Sequence, residues 1–276
     1  MNKKPSPTKT TGRVSAGFIA TLQTLGKTIF SIDEAQEICG KQRTATVDLL
    51  RDLVNRGILA RIKSGTFLIL QTGNENTQLR NWPVIARELA GKDPYFISHY
   101  SAMRIHGMTS HPILNVYLTF PKQKPDKMVS NITYHFIYSK KEHFWGQMIH
   151  WVTKQEQVQV SDLERTILDG FDRPDLCGGI TDVARGLWAA QKKIDSEKLM
   201  KYAKQYRTKA AVKRLGYVLE TLNIVSDSLS GLGKEIMDTK DYVRLDPQGK
   251  KEGKCLSRWR IQLNMNADEL KAGVWG

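Results

Sequence analysis

The spacing of apolar residues changes period several times along the chain. In "SAGFIATLQTLGK", Phe18, Ile19, Leu22 and Leu25 recur at helical intervals, and Gly26 is a natural stop. Ser31-Ile-Asp-Glu34 has the S-x-x-E form of a capping box, opening a short helix with Ile32, Ala35 and Ile38 inward that ends at Gly40. A third helix is predicted from Arg43 to Arg56, burying Val47, Leu50, Leu53 and Val54 and closed by Gly57. "ILARI" and "TFLIL" then flank "KSG" as a hairpin. Three helices and a hairpin describe a winged helix-turn-helix over residues 14–72.

Residues 73–78, polar and lacking large apolar side chains, are expected to be a linker, and residues 1–13 a disordered basic arm. From 79 to 276 the pattern alternates between periods. "WPVIARELAG" begins a helix with Pro83 near its first turn; "ILNVYLTFP", "ITYHFIYS" and "VQVS" are strand-like. "LERTILDGF", "GGITDVARGLWAAQ", "SEKLMKYAKQYRT" and "KAAVKRLGYVLETLNI" are helical, and "DYVRLDP" and "SRWRIQLN" close the chain as strands around the loop "QGKKEGK". The expected class is α+β: an N-terminal winged helix followed by a larger mixed α/β domain.

Charge adds a partner. The 276 residues carry 42 Lys and Arg against 28 Asp and Glu, a net charge of +14, which favours polyanions. No apolar run suits a membrane span and no signal peptide is recognisable. Cys39, Cys177 and Cys255 are few, odd in number and scattered, which points to the cytoplasm and away from a cysteine zinc site. His99, His106 and His111 fit no zinc spacing, so neither a metal nor a cofactor is expected.

In a winged helix the N-terminal end of the third helix enters the major groove. Here that end is Lys41, Gln42, Arg43 and Thr44. Arg43 has the fork for guanine O6 and N7, Thr44 offers a hydroxyl and a methyl, and Lys41 and Gln42 suit phosphates. Arg61, Lys63 and Ser64 are expected to project from the hairpin toward the backbone or minor groove. Asp48 and Asp52 share the outward stripe of the helix, so it should insert by its tip.

In the second domain, Ser161 and Glu164 form another S-x-x-E pattern, and Arg165 and Asp169 an (i, i+4) ion pair. A phosphoryl-transfer site would need a further carboxylate cluster there. Lys192–Arg214 holds nine basic residues against two acidic ones, either a solvated face or a second polyanion surface.

"ISHYSAMRIHGM", "VSDLERTILDGFDRPDLCGGI", "KRLGYVLE" and "SRWRIQLN", following a winged helix, resemble the AbiEi-type antitoxins of type IV toxin–antitoxin systems associated with phage abortive infection. The resemblance implies a non-enzymatic DNA-binding autorepressor acting on inverted repeats in its own promoter, with cooperative association on DNA among the expectations. It also implies that the C-terminal domain counters a nucleotidyltransferase-like toxin without a stable complex. Ser161, Glu164, Arg165 and Asp169 carry over as family-typical residues, and Lys209, Lys213 and Arg214, before "LGY", as candidates for the C-terminal activity. The alternatives are a winged-helix-guided nuclease or phosphoryl transferase, and an antitoxin that masks its toxin through the apolar stripe around Leu215 and Leu222.

Overall fold

In the computed structural model, residues 13–70, 75–154, 156–206, 208–224 and 228–276 are described. Among them the protein is a mixed α+β chain that divides into two compact units. The first comprises residues up to Gly91 together with Met128–Asn131; the second comprises Lys92–Lys127 and Ile132–Gly276.

The first unit opens with α1 (Arg13–Thr24), β1 (Ile29–Ser31), α2 (Ile32–Cys39) and α3 (Arg43–Asn55). A hairpin, β2 (Leu59–Lys63) and β3 (Thr66–Ile69), follows, and then α4 (Glu75–Ala90). The local sequence accounts for most of these boundaries. Ser31 and Glu34 form the full reciprocal capping box at the start of α2, and Gly40, at φ 61°, ends that helix. Burial lifts the Glu34 carboxyl pKa, but bonds from Lys27 and from Ser31 outweigh it and leave the pKa lowered. β1 is too short to announce itself, yet it pairs antiparallel with β3 and makes a three-stranded sheet, β1-β3-β2.

Phe18, Leu22, Phe30, Ala35, Leu50, Leu53, Leu59 and Phe67 fill the core of this unit. The Phe30 ring meets Phe18 edge-on at 5.6 Å and stacks with Phe67 at 5.9 Å. Burying side chains of this size contributes about 1.5–3 kcal/mol each. Leu25, expected inside, is exposed one residue past α1, and Val47 and Val54 are only half-buried. Those two valines border a groove of about 170 Å³ with Ile32, Arg51, Arg61 and Phe67.

The expected arm falls outside the described residues except for Arg13, which begins α1. Of the expected linker, residues 73 and 74 also fall outside them, while 75–78 already belong to α4. α4 groups with the first unit, and Lys63 of β2 bonds the carbonyl and carboxylate of Glu88 on it. Pro83 therefore sits inside the helix and not in its first turn. Its missing N–H breaks one rung of the ladder there.

The second unit contains β4 (Phe96–Ile97), α5 (His99–Ile105), β5 (Asn115–Phe120), β7 (Ile132–Tyr138), β8 (Gln147–Trp151) and β9 (Gln157–Ser161); of β6 (Lys127–Val129) only Lys127 groups with it, Met128 and Val129 grouping with the first unit. Five of these strands lie in the order β7-β5-β4-β9-β8, with β5–β7 and β4–β9 parallel and the other pairs antiparallel. Alternation along β7 buries Ile132, Tyr134 and Phe136, the period-2 signature of a strand with one covered face.

Helices α6 (Leu163–Asp172), α7 (Ile180–Ala190), α8 (Ser196–Gln205), α9 (Lys209–Thr221) and α10 (Ser228–Ile236) then pack together. A small sheet, β10 (Val243–Arg244), β11 (Lys254–Leu256) and β12 (Ile261–Leu263), ordered β10-β12-β11, and α11 (Ala267–Trp275) complete the chain. β11 starts at the end of the segment expected to be a loop. Leu215 and Leu222 are buried in this helical core, so the stripe proposed for direct toxin contact is already covered by the chain itself. No helix among the described residues is long and apolar enough to cross a membrane.

Candidate functional site

Two sets of residues were singled out by sequence, and the structure treats them in opposite ways. Those on the first unit are mostly exposed. Gln42 is the N-cap residue of α3 and makes no side-chain cap bond; it, Lys41, Arg43 and Thr44 all face solvent. Gly40 turns the chain between α2 and α3 so that this run sits at the N-terminal tip of α3. The free N–H groups of a helix start favour anions, adding to the cationic side chains.

The tip is not simply positive. Arg43 donates from Nη1 to Asp33 Oδ1 at 2.6 Å, linking α3 back to α2. Farther along α3, Arg51 pairs with Asp48 at 2.9 Å and Arg56 with Asp52 at 3.0 Å. The two aspartates expected to repel phosphate therefore each hold an arginine, Arg51 within α3 and Arg56 at its C-cap. On the hairpin, Arg61 and Ser64 are exposed and 3.5 Å apart, both on the side leading into the turn. Lys63 departs from expectation. It is half-buried and occupied with Glu88, so it does not project with Arg61.

The candidates on the second unit are buried. Ser161 ends β9, where its hydroxyl meets Thr166 Oγ1 at 2.8 Å and its carbonyl lies 2.7 Å from His106 Nε2. With Ser161 held in the sheet, the cap of α6 moves one residue on. Asp162 Oδ1 accepts from Arg165 N at 2.9 Å, and the expected Ser161–Glu164 box does not form. Glu164 instead turns to α8, accepting from Asp195 N at 2.9 Å and pairing with Lys198 at 3.0 Å. Lys198 also reaches Asp162 at 3.1 Å, and these two carboxylates raise its pKa despite partial burial.

Arg165 and Asp169 form the expected pair, deep in the protein. Arg165 also donates to the carbonyls of His143 and Trp145 and lies 4.2 Å from the Trp145 ring. Tyr206 donates to Asp169 at 2.6 Å, while burial pushes its phenol well above the ordinary value. Asp169 Oδ2 is buried without a bonded partner. No group of three or more His, Cys, Asp or Glu suited to a metal occurs among the described residues.

Lys209, Lys213 and Arg214 do not present a cationic surface. Lys209 is half-buried against Glu235 at 3.2 Å. Lys213 is fully buried and donates to the carbonyl of Asp241 at 2.7 Å, and Arg214 ties the carbonyls of Phe171 and Arg244. Charge counting missed this because the acceptors lie far away in sequence. Among the described residues of that stretch, Lys192, Lys193, Lys201 and Lys204 are the exposed basic ones.

No protein-family model matches the sequence, and no curated protein matches it significantly. Its fold is similar to that in the crystal structure of the RV2827C protein from Mycobacterium tuberculosis, with a TM-score of 0.66 over 92% of each chain at 14% identity. That likeness speaks to the fold alone.

Proposed function

We propose that the first unit is a winged helix-turn-helix and that the protein is a DNA-binding autorepressor and antitoxin. The observation that carries this reading is the exposed run Lys41–Thr44 at the tip of α3, accompanied by Arg61 and Ser64 on the adjoining hairpin. α2, α3 and a hairpin whose second strand pairs with β1 have the order such a module requires. Arg43 is the base-reading candidate; the other cations and hydroxyls suit phosphates.

Antitoxin activity rests on the resemblance carried by "LERTILD" and "RLGYVLE". In this reading the protein acts in the cytoplasm without catalysis. It represses its own promoter at inverted repeats, and its second unit counters a nucleotidyltransferase-like toxin without holding it. Because Ser161, Glu164, Arg165, Asp169, Lys213 and Arg214 are internal, they act by shaping that unit and not by touching the toxin.

The test is binding of the full chain to the duplex upstream of its own reading frame, set against a shuffled duplex of equal length. Affinity should fall steeply with salt. Arg43→Ala should weaken the upstream complex by about 1–3 kcal/mol and the shuffled one much less. Equal affinity for both duplexes at all salt concentrations sinks the repressor reading. Failure to rescue growth against the neighbouring toxin gene sinks the antitoxin half.

A further inference from the structure

β8 ends its sheet, and on its outer side no strand pairs with it among the described residues. Which groups that side presents follows from the bonds to β9. Val152 N donates to Glu156 O at 2.8 Å and Asp162 N to Gly146 O at 2.9 Å, continuing the unbroken register of the two strands. Along an antiparallel pair, residues whose N–H and C=O turn to the partner alternate with residues whose groups turn away. Met148 and His150 therefore bond β9, and the backbone groups of Gln147, Ile149 and Trp151 point outward. The side chains of this strand are apolar and open to solvent: Met148, Ile149 and Trp151 keep 43%, 49% and 59% of their exposure. Free sheet edges ordinarily carry a lysine, a proline or a bulge that keeps other strands away. β8 has none of these.

We infer that β8 pairs with β8 of a second copy of this chain, antiparallel and centred on Ile149, so that the sheet continues across a two-fold axis. Reversal about Ile149 is self-complementary. Ile149 exchanges both backbone bonds with Ile149 of the second copy, and Gln147 does the same with Trp151, for about six bonds in all. On one face Ile149 meets Ile149 with each Trp151 within diagonal reach, and on the other Met148 lies opposite His150. Charge selects the occupant. The chain carries +14, so two copies repel over most of their surface and can approach where a five-residue run holds no Asp, Glu, Lys or Arg. An acidic partner, which the net charge would otherwise draw, finds no cation on this strip. A strip this short buries less than the roughly 1,200 Å² of a lasting interface, so the two copies exchange with free monomer. The pairing does not depend on the duplex-binding reading above.

The experiment is sedimentation equilibrium of the full chain, without nucleic acid, from about 1 to about 300 μM. Wild type should pass from the 31.3 kDa monomer toward twice that mass, with a dissociation constant on the order of tens of micromolar. Added salt should strengthen the association, because it screens the repulsion between two like-charged chains. Ile149→Lys sets two ammonium groups against each other at the axis and should raise the dissociation constant about tenfold or more. Ile149→Pro removes an outward N–H and no bond to β9, and should also leave the chain monomeric. Met237, 70% exposed on another part of the chain, supplies the control: Met237→Lys should associate as wild type does. Melting temperatures check that each variant is folded, and the lysine variant carries the test should the proline one not be. A wild type that stays monomeric at the highest concentration overturns the inference. So does undiminished association of Ile149→Lys, an equal loss in Met237→Lys, or association that salt weakens, which would place charge pairs at some other surface.

Discussion

Arg165 and Asp169, one turn apart on α6, form an ion pair that solvent barely reaches. Nε lies 2.8 Å from Oδ1, and the two side chains keep 6% and 4% of their exposure. Removing one partner from such a pair leaves the other charge buried and unmatched, which costs about 3–5 kcal/mol. Asp169→Asn should therefore destabilise the protein by about that much in urea unfolding. The double variant Arg165→Met/Asp169→Leu should cost less than the single one, because it leaves no buried charge. A loss under about 1 kcal/mol for Asp169→Asn would show that the pair does not hold α6 in place.

Gly216 lies where α9 meets the closing sheet. A Cβ there would overlap the ring of Trp259, whose indole Nε1 donates to Glu220 on the next turn of the same helix. Gly216→Ala forces the ring out of its place, and overpacking of this kind costs about 1–3 kcal/mol or more. Thermal unfolding should show the loss, together with increased Trp259 fluorescence exposure. Gly17, where a Cβ meets nothing, is the control, and Gly17→Ala should be neutral or mildly stabilising.

These contacts explain what was legible in the sequence. "RLGYVLE" and "SRWRIQLN", far apart in the chain, pack on one another, Gly216 and Glu220 against Trp259, a pairing that neither stretch shows by itself. The Ser31 cap was readable because its bonds span three residues and depend on little else. The same pattern at Ser161 misled, because that serine is paired in β9 and a local signal cannot see a ladder. β1 was missed for the same reason: three residues carry no period, and its partner β3 is distant in the chain. Lys213 and Arg214 resembled a surface because their acceptors, at Asp241, Phe171 and Arg244, lie 28, 43 and 30 residues away.

The shifted cap gives a direct comparison. Asp162 accepts from Arg165 N and from Tyr202 at 2.9 Å each, and binds Lys198 at 3.1 Å. Ser161 offers one close hydroxyl contact, to Thr166. Asp162→Ala forfeits a cap worth about 1 kcal/mol and also strips a partner from each of Tyr202 and Lys198. Ser161→Ala loses about 1 kcal/mol in all. Denaturant midpoints should place Asp162→Ala clearly below Ser161→Ala; the reverse order would restore Ser161 as the cap.

Lys213 distinguishes a structural cation from a nucleic-acid contact. Its side chain is fully buried, while that of Asp241 is 71% exposed, so Lys213→Met would leave the carboxylate in water rather than stranded. Stability should stay within about 1 kcal/mol of wild type. In the DNA-binding role proposed above, the salt dependence of affinity should not change, whereas loss of a phosphate contact would lower its slope by about 1. The hydrogen bond from Lys213 is the largest of the contacts that hold the Asp241 carboxyl below its ordinary pKa, and in the variant that depression should shrink in a carboxylate titration.

His99 should make stability depend on pH in a defined window. It is buried at the start of α5 with φ 53°, and its Nδ1 lies 2.8 Å from Ser98 Oγ. Burial lowers its pKa from 6.5 to about 4; Asp169 and Asp172 oppose the fall, while Arg173 and Arg165 add to it. Between these two values the unfolded chain binds a proton that the folded chain refuses. Unfolding is therefore favoured progressively as pH drops from about 6.5 to about 4, and below that this residue adds nothing further. The loss is on the order of 3 kcal/mol across the window. His106 and His150 are lowered in the same direction, chiefly by burial, so the wild-type slope is a sum. The informative quantity is the difference from His99→Asn, since asparagine tolerates positive φ and does not titrate. That variant should show a flatter decline in melting temperature between pH 7 and pH 4. Parallel curves for the two proteins would mean that the imidazole is reached by solvent in the native state and takes up its proton without unfolding the chain.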